Sequence, residues 1–242
     1  MFCSVAFAHT IEWYVGDNLL STTTCESGDN ITPPTAPDKF GYHLKEWGPY
    51  KARIEYLEST GTQWIDTGIK QNDFVKNLIL EAVFQPSSNL CGEHLSSASG
   101  GGSNYRWYYP LLIRDGYYMT NIWGSGGEKK LAPADYAKHT IKVSLYNGEI
   151  SFDNKKFVFE EPNSQVPFNI VIFGNNNGSG SPLLSCYKLY SLSLLTADNI
   201  LLRDFIPVLD PNGTPCMYDK VEHKFYYNAG TGDFIAGPVI GE

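Results

Sequence analysis

The sequence has little positive charge, no long apolar run and no cysteine pair at metal-ligand spacing. Lysine and arginine number 18 against 26 aspartates and glutamates, so the formal net charge is −8 at pH 7. Basic side chains dominate the affinity of proteins for nucleic acids and for anionic membrane surfaces, so this balance argues against both partners. No apolar stretch approaches the roughly 20 residues of a membrane-spanning helix, so we expect no membrane insertion.

The composition also argues against disorder. The chain has 242 residues, of which 42% are hydrophobic, 14% aromatic and only 18% charged. Disordered chains are poor in aromatic residues and rich in charge. This length allows one large all-β domain, or one domain with a small companion. The 23 glycines, 16 tyrosines and 13 phenylalanines are typical of strands joined by tight turns.

The five cysteines form no CxxC motif and no cluster with histidine. The sequence therefore predicts neither a zinc site nor any other cofactor. Apart from Cys3, the residues Cys25, Cys91, Cys186 and Cys216 permit up to two disulfides in an exported protein, and their pairing is open. A Cys186–Cys216 bridge is one option because both residues precede C-terminal strands. Buried free thiols are the other.

Residues 1–8 are apolar and end in Ala6-Phe7-Ala8, which is the small-x-small pattern of a secretory cleavage site. The basic front and the full apolar stretch of a complete signal are missing. We therefore interpret this segment as the remnant of a signal peptide. An ordinary N-terminal strand is the alternative. On the first interpretation the mature chain begins near His9 and is secreted or displayed at the cell surface.

Short strand patterns recur from Arg53 onward, with Gly, Asn, Pro and Asp between them, and no helix pattern is convincing. Asn147-Gly148 is the strongest hairpin signal, and the strands near 74–84 and 168–174 are apolar enough to lie centrally. So many short strands indicate two packed antiparallel sheets, although their order stays open. The predicted strands lie near 53–57, 62–66, 74–84, 105–114, 117–123, 138–146, 149–153, 156–160, 168–174, 185–195, 200–207 and 224–227.

Residues 9–48 are predicted to be a separate small unit. Residues 11–15 alternate as a strand, and residues 20–25 supply a second, Thr-rich strand. A Pro-x-x-Pro motif and a Gly-Tyr-x-x-x-x-Trp motif follow. This order resembles the small β-grasp-like repeats (Listeria–Bacteroides type) of bacterial surface proteins. Gly48-Pro49-Tyr50 is the predicted linker to the larger part of the chain.

Two groups of segments bracket that larger part. YLESTGTQWIDTG stands at residues 56–68, and LRDFIP, MYD and KFYYNAGTG follow near the end of the chain. Together they resemble a concanavalin A-like (laminin G-like) jelly-roll module of bacterial surface and secreted proteins. The resemblance covers residues 50–242 and implies an antiparallel two-sheet jelly-roll sandwich. It also implies non-catalytic recognition, with a glycan or a cell-surface protein as the partner.

Glycoside hydrolases on the same fold need two carboxylates beside the scissile bond, and no strand carries alternating acids. Glu160 and Glu161 are adjacent, so they face opposite sides, and Glu81 is a lone acid interpreted as a core polar group. Residues 174–178 are interpreted as a loop. The histidines at 9, 43, 94, 139 and 223 are scattered, without a Cys or Asp at motif spacing. We therefore predict no enzyme, and a hydrolase is the second alternative.

The strand at 105–114 is the predicted binding surface. Its odd positions are apolar or aromatic and are expected to face the core, so Arg106, Tyr108 and Arg114 point outward. An aromatic ring between two arginines can stack on a sugar and bind its hydroxyls. Trp123, at a strand end beside a Gly-rich loop, is the fourth candidate. The alternative is an ordinary amphipathic strand, in which case the domain is a purely structural spacer or display domain.

The segment Asp210-Pro211-Asn212-Gly213-Thr214 offers oxygen ligands of the kind that calcium prefers. The same residues form a common β-turn sequence. We therefore predict a turn at this position and no metal.

Overall fold

The computed structural model describes residues 8–15, 18–26, 29–35, 48–70, 75–85, 97–98, 108–122, 129–144, 147–158, 168–176 and 182–240. Their regular structure consists of β-strands, and these ranges contain no helix, which confirms the predicted all-β class. Accordingly, no helix long and apolar enough to cross a membrane occurs within them. Arg106 and Trp123 lie outside the described residues, as do residues 1–7.

The strands of the described residues, in chain order, are β1 (His9–Val15), β2 (Asn18–Cys25), β3 (Ala52–Ile54), β4 (Leu57–Glu58), β5 (Ile65–Lys70), β6 (Asn77–Phe84), β7 (Ser97–Ala98), β8 (Tyr108–Arg114), β9 (Tyr117–Ile122), β10 (Lys129–Pro133), β11 (Lys138–Ser144), β12 (Glu149–Phe152), β13 (Lys155–Val158), β14 (Asn169–Ile172), β15 (Gly174–Asn176), β16 (Leu183–Leu184), β17 (Tyr187–Leu195), β18 (Leu201–Leu209), β19 (Pro215–Asp219), β20 (Lys224–Tyr226), β21 (Ile235–Ala236) and β22 (Val239–Ile240).

One large antiparallel sheet organises the chain. Its strands follow the order β13-β12-β11-β6-β17-β18-β19-β20, and the short strands β3, β4, β21 and β22 extend it. Strand β6 lies between β11 and β17, so its predicted central position is confirmed. Its residues alternate between half-buried and buried, because side chains of a strand point to opposite faces. One face of the sheet therefore packs on the core and the other is partly open to solvent.

Three smaller sheets contain β8, β9 and β10, then β5 and β14, and finally β7, β15 and β16. One cluster of buried side chains joins the large sheet to the first two of these, through Leu80 and Leu192 on one side and Tyr118, Ile113 and Ile172 on the other. Burial of such side chains stabilises a fold by about 1.5–3 kcal/mol each. The architecture is therefore sandwich-like, with the core between the large sheet and smaller ones.

The strand predicted at 168–174 is confirmed as β14, but its central position and the predicted loop at 174–178 need correction. Strand β14 pairs with β5 in a two-stranded sheet instead of lying in the large sheet. Phe173 then takes a left-handed conformation, with φ of 63°. The chain continues into β15, which pairs in parallel with β7 and antiparallel with β16. Gly174 and Asn175, predicted in the loop, are buried strand residues because neighbours on both sides complete their backbone pairing.

The two bracketing groups of segments contact each other in space. The Ala229 N–H donates to the Trp64 carbonyl at 2.8 Å, and the Thr231 N–H donates to the Thr62 carbonyl at 3.0 Å. The Trp64 N–H in turn donates to the side-chain oxygen of Asn228 at 3.1 Å. We call these five residues the closing corner. It joins the beginning of the larger part of the chain to its end.

The predicted linker is attached to the large sheet. The Lys51 N–H donates to the Leu209 carbonyl at 2.9 Å, and β3 pairs with both β18 and β22. The Tyr50 ring packs edge-on against Tyr218, with 5.5 Å between the ring centroids. Residues 50 and 51 are therefore part of the body and do not form a free spacer.

The N-terminal residues form the hairpin of β1 and β2, in agreement with the two strands predicted there. The Trp13 indole N–H donates to the Thr23 hydroxyl across the hairpin at 2.9 Å. An isolated two-stranded hairpin is marginally stable in water. The predicted β-grasp-like unit at 9–48 stays a prediction, since residues 36–47 lie outside the described ranges.

The structure decides between the two options that the sequence leaves open for Cys216, a disulfide with Cys186 or a buried free thiol. Cys186 is disulfide-bonded, whereas Cys25 and Cys216 are buried free thiols. The Cys186–Cys216 bridge is therefore wrong. Cys216 lies in β19, in a small buried cluster with Ile206 and Val208 that is separate from the main core.

We expect Cys216 to resist alkylation in the folded protein. Burial, with a smaller contribution from the Asp210 charge, raises the pKa of its thiol to about 12. The thiol therefore stays protonated at mildly alkaline pH, and only the thiolate is nucleophilic. Iodoacetamide followed by mass spectrometry measures this directly. Labelling of Cys216 is expected in denaturant and not before, and equal labelling in both states would contradict its burial.

Candidate functional site

The predicted binding residues are only partly within the described chain. Tyr108 and Arg114 are the first and last residues of β8. Pairing of β8 with β9 shifts register between Tyr109 and Leu112, which interrupts the alternation on which their shared face was predicted. Ile113 is buried, as expected for an odd position. The role of these residues in binding stays a prediction.

A pocket of about 440 Å³ lies at another place, where β10, β11 and the β12–β13 turn meet. Its lining includes the acids Asp135 and Asp153, the imidazole of His139 and the apolar side chains of Phe152 and Pro133. Its volume falls in the range of about 300–1,000 Å³ that is usual for small-ligand sites. We call it the Asp–His–Asp pocket.

The β12–β13 hairpin positions Asp153. Phe152 pairs with Lys155, so Asp153 and Asn154 form a two-residue turn. Asp153 has φ of 51°, a left-handed conformation that aspartate and asparagine tolerate better than most residues. Its carboxylate accepts a hydrogen bond from the Thr140 N–H at 3.0 Å. The turn therefore fixes the carboxylate against β11.

Asp135 lies in the segment between β10 and β11. Its Oδ1 accepts a hydrogen bond from the Ala137 N–H at 3.0 Å and contacts the His139 ring. The Ala137 bond is the larger cause, and the His139 bond the next, of a pKa below the usual value for aspartate. The carboxylate is therefore held in its ionised form.

His139 joins the two acids. Its Nε2 lies 2.7 Å from Asp135 Oδ1, and its Nδ1 lies 2.8 Å from Asp153 Oδ2. An ionised carboxylate accepts hydrogen bonds and donates none, so both contacts are hydrogen bonds when each ring nitrogen carries a hydrogen. The ring packs on Phe152, with 4.4 Å between centroids. The imidazole thus holds the two carboxylates at fixed positions.

Tyr118 of β9 supports the pocket from the core side. Its ring lies 5.0 Å from that of His139. The Tyr118 hydroxyl accepts a hydrogen bond from the Tyr136 N–H at 3.1 Å and donates to Asp135 Oδ1 at 3.4 Å. Burial raises the pKa of Tyr118 to about 12, so the phenol stays protonated. It acts as a structural donor to the acid.

The chemistry of the pocket is suited to binding. Both carboxylates retain lone pairs beyond the bonds described, and Phe152 and Pro133 provide apolar wall. A glycosidase of the usual kind needs one protonated carboxyl with a raised pKa. The pKa of Asp135 is lowered instead, and the His139 ring occupies the space between the acids. The arrangement therefore lacks the features of that acid–base pair.

The sequence does not reveal this site, because no histidine has an aspartate at a known motif spacing. His139 contacts Asp135, four residues before it, and Asp153, fourteen residues after it. The one sequence feature that could have located the site is the Asn147-Gly148 turn, which the structure confirms between β11 and β12. That hairpin pairs Ile141 with Phe152 and so places residue 153 beside the start of β11.

The outer face of the large sheet carries a second group of aromatic and charged side chains. The rings of Tyr56 and Tyr190 lie 5.5 Å apart. The Lys188 ammonium lies 4.5 Å from the Tyr56 ring centroid and 3.8 Å from a Glu58 oxygen. Burial lowers the pKa of Lys188, but its hydrogen bond to Tyr56 and the Glu58 charge have the opposite effect. The net result is a raised pKa. These groups are therefore paired with one another.

Glu81 belongs to the same face and corrects an expectation. Its side chain is 41% exposed and lies 3.7 Å from the Lys138 ammonium, so it is not a buried core acid. Its odd position in β6 points it away from the core. The Lys138 ammonium also lies 4.7 Å from the Tyr190 ring centroid.

The Asp210 segment forms the predicted turn. Asp210 Oδ1 accepts hydrogen bonds from the N–H groups of Asn212 and Thr214 at 2.9 and 2.7 Å. Its Oδ2 accepts one from the Tyr227 hydroxyl at 3.1 Å. The carboxylate oxygens are thus used by donors of the protein itself. Over the ranges that the structure describes, no group of three or more His, Cys, Asp or Glu residues is arranged to hold a metal ion.

Comparisons of the chain with models of protein families, with curated proteins and with solved structures gave no significant match. The fold and the site define an all-β, sandwich-like protein with an acidic pocket that is fixed by a buried imidazole.

Proposed function

We propose that this protein is a non-catalytic recognition module of an exported bacterial protein, and that the Asp–His–Asp pocket binds a sugar of a glycan. In this proposal residues 50–242 form a concanavalin A-like jelly-roll sandwich, residues 9–48 a β-grasp-like unit and residues 1–8 a signal-peptide remnant. The observation that carries the binding function is the pocket, with its two fixed carboxylates beside apolar wall.

The pocket offers the two kinds of contact that a sugar needs. Sugar hydroxyls donate hydrogen bonds, and the carboxylates of Asp135 and Asp153 accept them. The C–H face of a sugar ring is apolar and packs on accessible apolar side chains such as Pro133 and Ala132. Asp153 is bonded to Thr140 and His139 before any ligand arrives. Such preorganisation lowers the entropy cost of binding.

The disulfide of Cys186 supports the exported location. Disulfides persist in oxidising compartments and are rare in the cytosol. The carboxylates of Asp135 and Asp153 are 60% and 46% exposed, so water competes with the ligand and we expect weak affinity for a single site. Repetition of the module along a surface raises the effective affinity, which fits an adhesin-like function.

A purely structural spacer or display domain is the alternative. The observation in its favour is the outer face, where Lys188 and Glu58 are already paired with each other. A glycoside hydrolase is the second alternative, and the lowered pKa of Asp135 opposes it. Release of reducing sugar from a panel of polysaccharides would establish the hydrolase in place of the recognition module.

A glycan array probed with the full chain tests the proposal. We expect binding by the wild type and loss of about ten- to a hundredfold in affinity for Asp153→Asn, because charge-assisted hydrogen bonds contribute about 1.5–3 kcal/mol each. Asparagine keeps the shape of the side chain and tolerates the left-handed backbone at this position, so the fold is expected to persist.

Two variants serve as controls for this array. Asp198→Asn removes an exposed charge in the turn after β17, and Tyr190→Ala removes a ring from the outer face. Both are expected to bind as the wild type does. Equal binding by Asp153→Asn and wild type would place the ligand elsewhere, whereas loss with Tyr190→Ala would favour the outer face.

A further inference from the structure

The three charged or ionisable side chains of the Asp–His–Asp pocket differ in their exposure to solvent. The side chains of Asp135 and Asp153 are 60% and 46% exposed, whereas that of His139 is only 8% exposed. A ligand that enters from solvent therefore meets the carboxylates before the imidazole. Any positive charge on the ring lies behind the acids and is compensated by its bonds to both of them.

The other polar side chains of the lining are Lys155 and Asn154. Lys155 is exposed at the start of β13, and its ammonium is a strongly hydrated charge on a flexible chain. Asn154 is neutral. The two carboxylates, by contrast, are held by the backbone N–H groups of Ala137 and Thr140. A ligand thus meets two fixed carboxylates in front of the imidazole, and one mobile ammonium.

We propose that Asp135 and Asp153 make the pocket selective for neutral sugars and exclude their anionic counterparts, such as uronic acids. This inference rests on the proposed glycan-binding function and names its ligand class. Charges of like sign repel strongly when they are a few ångströms apart and partly shielded from water. A partner can be rejected by such repulsion even when its shape fits.

The charge of the whole chain acts in the same direction. The formal net charge of −8 lowers the local concentration of anions around the protein. Salt screens this long-range part within a distance of about 8–10 Å, whereas the contact between a bound carboxylate and Asp153 is screened less. Selectivity is therefore expected to fall with added salt and to persist in part.

Matched sugar pairs test the inference with the full chain. Glucose is compared with glucuronate, and galactose with galacturonate, as competitors for the best array ligand. We expect the wild type to favour the neutral member of a pair by roughly tenfold, which is the ratio that one moderate like-charge contact produces. In Asp153→Asn the affinity for the uronate is expected to rise severalfold, while that for the neutral sugar falls. Asp198→Asn is expected to keep the wild-type ratio.

The outcomes separate the inference from the function on which it rests. A wild-type ratio near one overturns the selectivity and leaves sugar binding intact. Uronate affinity that does not rise in Asp153→Asn overturns the role given to that carboxylate. If no neutral or anionic sugar competes and the array shows no binding, the proposed function itself is wrong, and the inference falls with it.

Discussion

Replacement of Arg203 by methionine is expected to destabilise the protein by about 3–5 kcal/mol, because removal of one partner leaves a buried charge without compensation. Asp219 is fully buried, and its Oδ2 lies 3.3 Å from Arg203 Nε. Its other oxygen accepts hydrogen bonds from the N–H groups of Asp204 and Val221 at 2.8 and 3.1 Å. The carboxylate is thus surrounded by backbone and cannot move to water.

The same arginine holds a second acid. Arg203 Nη2 lies 2.5 Å from Glu222 Oε1, and the Tyr226 hydroxyl donates to Glu222 Oε2 at 2.6 Å. Glu222 is 38% exposed, so solvent screens its charge when the arginine is lost. Most of the expected effect therefore comes from Asp219.

Chemical denaturation measures this effect, and a nearby exposed pair supplies the control. Lys220 Nζ lies 3.4 Å from Asp204 Oδ2, and its side chain is 45% exposed. Lys220→Met is expected to cost less than about 1 kcal/mol, as exposed ion pairs do. The double variant Arg203→Met with Asp219→Asn is expected to recover part of the loss, since it removes the buried charge. Equal destabilisation by Arg203→Met and Lys220→Met would contradict the burial of Asp219.

Replacement of Gly230 by alanine is expected to open the closing corner and to cost about 3 kcal/mol, at the upper end of what overpacking produces. A Cβ at this position would lie 2.1 Å from the Thr62 carbonyl oxygen and 2.9 Å from Trp64 Cδ1. The backbone must therefore move, which strains the bonds that Ala229 and Thr231 donate to residues 64 and 62.

Gly116→Ala is the control for Gly230→Ala, because it introduces backbone strain without a steric clash of the new Cβ. Gly116 has φ of 75°, but no atom lies within 4 Å of its potential Cβ. The expected cost is about 1 kcal/mol, from the left-handed conformation alone. Thermal unfolding of the two variants measures the difference. If Gly230→Ala is no worse than Gly116→Ala, then the two ends of the larger part of the chain do not contact each other as described.

The sequence was sufficient for the strands that carry strong apolar patterns. The continuous apolar run of β6 predicts a central strand, the Asn147-Gly148 turn predicts a hairpin, and the structure confirms both. The predicted strands near 200–207 and 185–195 correspond to β18 and β17, which pair with each other. These elements are specified locally, by period and by turn residues.

Other strands depend on partners that are distant in sequence. Strand β10 was not predicted, because Leu131 is its one buried residue and pairing with β9 is what extends it. Strand β19 begins at Pro215 and lies between β18 and β20, which supply its hydrogen bonds on both sides. The polar neighbours of Asn175 predict a loop, yet Asn175 is buried in β15. Local composition does not contain this information.

The candidate site required the same long-range information. Asp135, His139 and Asp153 come from three different segments, and only the β11–β12 and β12–β13 registers bring them together. The sequence instead favoured Tyr108 and Arg114, because aromatic and basic residues on one strand form a visible local pattern. Their role stays a prediction beside that of the pocket.

A crystal structure of the full chain with its best array ligand tests the central claim most directly. We predict a sugar ring in the Asp–His–Asp pocket, packed near Pro133 and with a hydroxyl donating to Asp153. A sugar bound on the outer face beside Tyr190, or on β8, would contradict the account.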